Sequence, residues 1–245
     1  MSLDASPTSA AGQDGETHRK AGGGNALRAA VLGANDGLVS NLSLVMGVAG
    51  AEVSARNVLL TGLAGLVAGA CSMAMGEWLS VNSSREMTQR QIDGEAKALE
   101  ADPNREKREL VAIYVAKGLD EADASALADK LFQSKDAALD TLAREELGVD
   151  PEELGGSAWA AAISSFCLFA TGAIFPVAPF IFASGGPAVT ASLVLSGIAL
   201  AVIGAVTARF TGRTVLFSAG RQLLIGYLAA AITYGVGRLI GVTVS

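Results

Sequence analysis

Residues 157–208 read SAWAAAISSFCLFATGAIFPVAPFIFASGGPAVTASLVLSGIALAVIGAVTA, without one Asp, Glu, Lys or Arg. A helix needs about 20 apolar residues to cross a hydrocarbon core, with a range of roughly 17–25. The run is therefore too long for one crossing. Ala183-Ser184-Gly185-Gly186-Pro187 in its middle is a turn signal that divides it into two spans. Pro176 and Pro179 predict a kink or a broken segment at the end of the first.

The same reading extends outward. Residues 58–76 carry no charge, and residues 29–51 are apolar apart from Asn35, Asp36, Asn41 and a few serines. Residues 222–237 form a shorter uncharged run bracketed by Arg221 and Arg238, whose long stems can snorkel toward the interface. The total is five spans, the fifth marginal on length and the first marginal on polarity. Basic residues set the orientation. Arg19, Lys20 and Arg28 precede span 1, Arg56 alone separates spans 1 and 2, and Arg209, Arg213 and Arg221 separate spans 4 and 5. The N-terminus, residues 81–156 and the 209–221 loop are therefore expected on the cytoplasmic side. The expected fold is an all-α integral membrane protein of five transmembrane helices, with a helical cytoplasmic domain inserted between spans 2 and 3. Residues 1–25 read as a disordered tail, 26–80 as spans 1 and 2, 81–156 as the inserted domain and 157–245 as spans 3–5.

Composition agrees. The 245 residues are 51% hydrophobic and only 5% aromatic, with 29 glycines, and mean hydropathy is +0.42. Gly- and Ala-rich apolar stretches are typical of close-packed membrane helices. A net charge of −6 argues against nucleic acid as a partner. The only histidine, His18, lies in the polar tail. That excludes Ser-His-Asp hydrolysis, His-ligated zinc and Glu-x-x-His di-iron chemistry. Cys71 and Cys167 both sit in apolar runs, so the chain is no disulfide scaffold. No Gly-rich phosphate loop or nucleophile elbow is present, so no enzyme is expected and no prosthetic group is called for. Any metal chemistry must use oxygen and sulfur ligands.

Residues 81–156 differ in kind. They hold ten Lys and Arg against eighteen Asp and Glu, a net charge of −8. Asp102-Pro103 predicts a helix start, with the helix running to Lys117 and stopped by Gly118. Asp120 caps a second helix to about Phe132, and Ser134 caps a third that ends at Gly148. Leu110, Ile113 and Tyr114, with Leu127, Leu131, Leu139 and Leu142, recur at helical spacing and predict one apolar face.

Asp36 is the sharpest chemical signal. A carboxylate inside a span costs roughly 2.5–3.5 kcal/mol, and such residues normally face a bundle interior or an aqueous cavity. The alternative is an interfacial cap at Asn35-Asp36-Gly37, which leaves too few apolar residues beyond Gly37 to span. Met73 and Glu77, at i and i+4, share a helix face. A thioether and a carboxylate there, joined by Asp36 and by backbone or Asn35 oxygens, suit a borderline cation such as Fe²⁺; equally, Met73 and Met75 can be packing residues and Glu77 interfacial. Gly65-x-x-x-Gly69 is a close-packing pattern. In the acidic domain Glu95, Glu100, Glu106, Glu109, Glu145 and Glu146 are candidates for a carboxylate cluster suited to divalent cations; a solvated charged face is the other reading.

The stretches at 33–38 (GANDGL), 70–80 (ACSMAMGEWLS), 144–148 (REELG) and 174–180 (IFPVAPF) together resemble the vacuolar iron transporter family, over about residues 26–243. The resemblance implies a homodimer of five-span subunits with a translocation path at the dimer interface, exporting Fe²⁺ and often Mn²⁺ from the cytosol in exchange for protons. The metal ions are substrates. The short chain resembles bacterial-type members, which implies the plasma membrane. Asp36 and Met73 match the family's pore carboxylate and methionine, and Glu95, Glu106, Glu109 and Glu146 match glutamates of its cytoplasmic metal-binding helices. Gly65 stands where a further pore glutamate is expected, with Glu77 as a compensating carboxylate. Ala98, Leu142 and Ala143 stand where domain ligands are expected, with Glu100 and Glu145 as neighbouring substitutes. The reading outside transport is a membrane scaffold, with residues 81–156 as a docking module.

Overall fold

The computed structural model describes residues 10–151 and 157–244, with side chains described for 29–151 and 157–242. The regular structure among them is entirely helical: α1 (Ala10–Gly50), α2 (Ala55–Ala101), α3 (Pro103–Ala116), α4 (Glu121–Leu131), α5 (Lys135–Glu145), α6 (Ala158–Val177), α7 (Pro179–Phe182), α8 (Gly185–Thr211) and α9 (Val215–Val244). Five stretches are long and apolar enough to cross a membrane: Ala29–Gly50, Ala55–Ala101, Ala158–Val177, Gly185–Thr211 and Val215–Val242. The chain is an all-α membrane protein.

The fifth span is not short. Its helix runs on through Arg221 and Arg238, and the crossing stretch within it is 28 residues long, because both arginines continue a helix without interrupting its ladder. Residues 1–9 of the expected tail lie outside the described residues. From Ala10 onward the tail is instead wound into α1, with Gly22-Gly23-Gly24 inside it. Extending an existing helix adds one hydrogen bond per residue, which offsets the penalty of about 1 kcal/mol for each glycine.

The chain divides into two compact units, one running up to Met75 and from Ala162 onward, the other Gly76–Ala161. In the first, α1 is central. Its Leu38, Leu42, Val45 and Met46 are fully buried and share a core with Val58, Val177, Phe180, Leu200 and Ala230. Backbone approaches set this packing. A Cβ on Gly172 would overlap the Ala34 carbonyl, and one on Gly237 would overlap the Gly47 carbonyl. Glycine is required at these positions because α6 and α9 meet α1 backbone to backbone. At the prolines α6 ends and the short α7 begins, as the spacing predicts. The Ser192 hydroxyl donates to the Pro176 carbonyl at 2.7 Å, a side-chain bond where the helical ladder is interrupted.

In the second unit Leu99, Leu110, Ala128, Ala138 and Leu142 form a small core, with Tyr114, Leu131 and Leu139 packed against it. The punctuation largely acts as read. The Asp102 side chain accepts from the Arg105 N–H, and the Ser134 hydroxyl accepts from the Ala137 N–H. Asp120 occupies the N-cap of α4 but makes no side-chain cap bond. Gly118 and Gly148 have positive φ, 101° and 66°. The helices preceding them stop slightly earlier than the glycines suggest, at Ala116 and Glu145.

Candidate functional site

In the first unit, a cavity of about 370 Å³ opens beside α1. Asp36, Ser40 and Asn41 of α1 line it, together with Ser72 and Met73 of α2; Leu44 and Phe169 supply apolar wall, and Gly65 and Gly69 supply wall without side chains. Asp36 lies seven residues into the Ala29–Gly50 stretch, about 10 Å along the helix at 1.5 Å per residue. Its side chain is exposed within the single chain, and Met73 is half-buried. Ser40 lies one turn below, and its hydroxyl donates to the Asp36 backbone carbonyl at 2.6 Å. Met73 reaches toward α1: a Cβ on Gly33 would sit 3.3 Å from the Met73 methyl.

The Gly65–Gly69 pair faces neighbouring helices of the same chain. A Cβ on Gly69 would overlap the Phe169 ring, and one on Gly65 would overlap Leu44. The missing side chains make room for Leu44 and the Phe169 ring.

Asn35 is not a cavity residue. Its side-chain oxygen accepts from the Gln222 amide, which ties α1 to α9. Consecutive residues on a helix point about 100° apart, so Asn35 and Asp36 serve different neighbours. Glu77, exposed, belongs to the second unit. The polar residue that spacing did not single out is Asn41, which is 2% exposed. A second amide in the apolar stretch, after Asn35 and beyond Asp36, was the signal available.

The second unit brings three carboxylates together from three elements. Glu95 of α2, Glu106 of α3 and Glu146, the C-cap of α5, each place an oxygen within 4.8 Å of the other two. Among the described residues this is the one group of three acidic, histidine or cysteine side chains close enough to share a cation. Glu106 is 3% exposed, deep for a carboxylate. Glu95 lies beyond the apolar 58–76 part of α2. Burial, then the neighbouring Glu146 and Glu106 carboxylates, push its carboxyl above the ordinary range. Burial and the nearby Glu109 and Glu146 push Glu106 up likewise, and Arg105 opposes both shifts. Like charges held together and partly desolvated favour either a proton or a cation.

The remaining candidates are engaged elsewhere. Glu109 accepts from Arg105 Nε at 3.0 Å at the edge of the group. Glu100 pairs with Lys135 and Glu145 with Lys117. Five positions along α2 from Glu95, and one along from Glu146, the side chain points well round the helix. Glu100 and Glu145 therefore lie outside the three-glutamate group. Leu142 and Ala143 are themselves fully buried, and Leu142 belongs to the helical core.

Comparison with known proteins returns one consistent answer. Residues 27–238 match the model of the VIT family. A protein named vacuolar iron transporter in Acanthamoeba castellanii is 39% identical over 92% of this chain and 83% of its own length. The rice protein named vacuolar iron transporter 1 is 32% identical over 89% of this chain and 86% of its own length. A second rice protein, named vacuolar iron transporter homolog 1, is 37% identical over 88% of this chain and 74% of its own length.

Proposed function

Because the chain belongs to the VIT family, we propose that it carries Fe²⁺, and also Mn²⁺, out of the cytosol in exchange for protons. The observation that carries this reading is the meeting of the Asp36 carboxylate and the Met73 thioether at one cavity in a unit built of apolar helices. A carboxylate alone suits hard cations and a thioether soft ones; the pair suits a borderline first-row divalent ion.

Asp36 is the exchange site. Its carboxylate holds either the cation or a proton, so a proton arriving from the far side releases the metal, and loss of that proton restores the site. Met73 contributes a neutral ligand that no proton competes for. Ser40 and Ser72 hydroxyls at the same cavity replace part of the cation's hydration shell. The chain works as a homodimer: Asp36 is exposed in the single subunit, and a second copy against that side encloses the carboxylate in protein. The cytoplasmic face carries the N-terminus and the acidic unit, by the distribution of Lys and Arg. That unit's charge enriches divalent cations there, and Glu95, Glu106 and Glu146 bind them, with Glu109 alongside. The membrane is a bacterial plasma membrane.

The test is transport by purified protein in liposomes. Fe²⁺ is to move when a pH gradient is imposed and stop when the gradient is collapsed, and Asp36→Asn is to abolish this movement. Equal flux with and without the gradient refutes proton coupling, and undiminished flux in Asp36→Asn removes Asp36 from the mechanism.

A further inference from the structure

Asn41 is held in an unusual way. Both protons of its side-chain amide are committed, one to the Gly62 carbonyl at 3.2 Å and one to the Ala173 carbonyl at 2.8 Å. Those two acceptors fix the orientation of the amide, because the flipped form would turn its oxygen onto two carbonyl oxygens. The side-chain oxygen is buried and has no hydrogen-bond partner among the described residues. Buried acceptors are almost always satisfied, so an orphan held in place from two other helices calls for a reason.

The reason lies in what the oxygen faces. A Cβ on Gly65 would stand 2.8 Å from it and closer still to the Leu44 side chain, so the oxygen lies against the Gly65 backbone beside Leu44. Gly65 and Asn41 line the same cavity as Asp36 and Met73. Building on the transport reading above, we propose that the Asn41 side-chain oxygen is a ligand of the transported cation, a neutral donor at the wall that Gly65 and Leu44 share. An amide oxygen is a hard donor that adds no charge. It stabilises a partly dehydrated divalent ion without placing a second carboxylate in the membrane. Asp36 remains the one carboxylate at the cavity. Its donor hydrogens, tied to α2 and α6, hold the oxygen in position before the cation arrives.

The experiment measures Fe²⁺ uptake into liposomes containing the full chain, comparing Asn41→Leu and Gly65→Ala with wild type. Asn41→Leu removes the oxygen at similar volume and is expected to raise the apparent KM for Fe²⁺ about tenfold, the lower end of what loss of a metal-site partner costs, with maximal rate largely kept. Gly65→Ala sets a methyl group against the oxygen and is expected to raise KM with Asn41 intact. A purely structural Asn41 would lower the unfolding temperature of Asn41→Leu and leave the KM of its folded fraction unchanged; that pattern overturns the inference while leaving transport standing. If Asn41→Leu does not fold, an unchanged KM in Gly65→Ala overturns it, and a raised one supports it. Absence of Fe²⁺ uptake by the wild-type protein refutes the transport reading and this inference with it.

Discussion

The two carboxylate sites are built on opposite terms. The cavity beside α1 holds one acidic side chain, Asp36, among a thioether, hydroxyls and an amide. The acidic unit gathers three glutamates within 4.8 Å, with a fourth nearby. The difference follows the cost of charge. In a hydrocarbon setting each extra carboxylate is expensive, so neutral donors do most of the work. Where water is at hand, repulsion among several carboxylates is tolerable and becomes a store of affinity for a cation. The means of construction differ too. Backbone contacts at glycines position the cavity helices, whereas capped short helices around a small leucine core position the glutamates.

Four outcomes would break or sharpen that contrast. The largest effect belongs to the single charge. Asp36→Asn is expected to remove metal flux altogether, beyond the roughly 10–100-fold that changes around a metal site cost, as read in the liposome assay. Next is the backbone contact. Gly172→Ala forces a methyl onto the Ala34 carbonyl and is expected to destabilise the helix pair by about 1–3 kcal/mol, seen as a lower unfolding temperature in detergent. Removing one of three glutamates is gentler. Glu106→Gln is expected to weaken metal binding about tenfold while leaving maximal flux intact; isothermal titration with Mn²⁺ and the uptake assay separate the two. The smallest effects are local. Ser134→Ala removes the cap at Ala137 and should cost about 1 kcal/mol, measurable by amide hydrogen exchange in α5.

The raised carboxyls add a pH dependence with a definite sign. Glu95 and Glu106 hold protons in the folded unit more readily than a free carboxyl, whose ordinary value is 4.5. Folded protein therefore binds more protons than unfolded above that value, and stability falls as pH rises through the window up to the raised values. Below the ordinary value the penalty is absent. Without metal, hydrogen exchange in α3 should accelerate across that window and do so less in Glu106→Gln; added Mn²⁺ should abolish the difference.

Much of this was readable from residue order. Five apolar stretches, the turn at Gly185, the proline break after Val177 and the caps at Asp102 and Ser134 are local signals, and each acts where it stands. Asp36 stands out in the sequence because a carboxylate in an apolar helix is conspicuous; that it shares a cavity with Met73 is a tertiary fact. Asn35, Glu100 and Glu145 face other partners for one reason: a helix turns each residue about 100° from the last, so a chemically suitable neighbour can face elsewhere. Asn35 meets Gln222, Glu100 meets Lys135 and Glu145 meets Lys117.

Residue order alone thus determined that the chain is helical, that five stretches can cross a membrane and that an acidic segment interrupts them, because hydropathy, periodicity and capping act over a few residues at a time. Which glutamates meet, and which way Asn41 turns its oxygen, were decided only by tertiary structure. Those facts depend on contacts between residues far apart along the chain, such as Glu95 with Glu146 and Asn41 with Ala173, and no local pattern encodes where two distant helix faces come together.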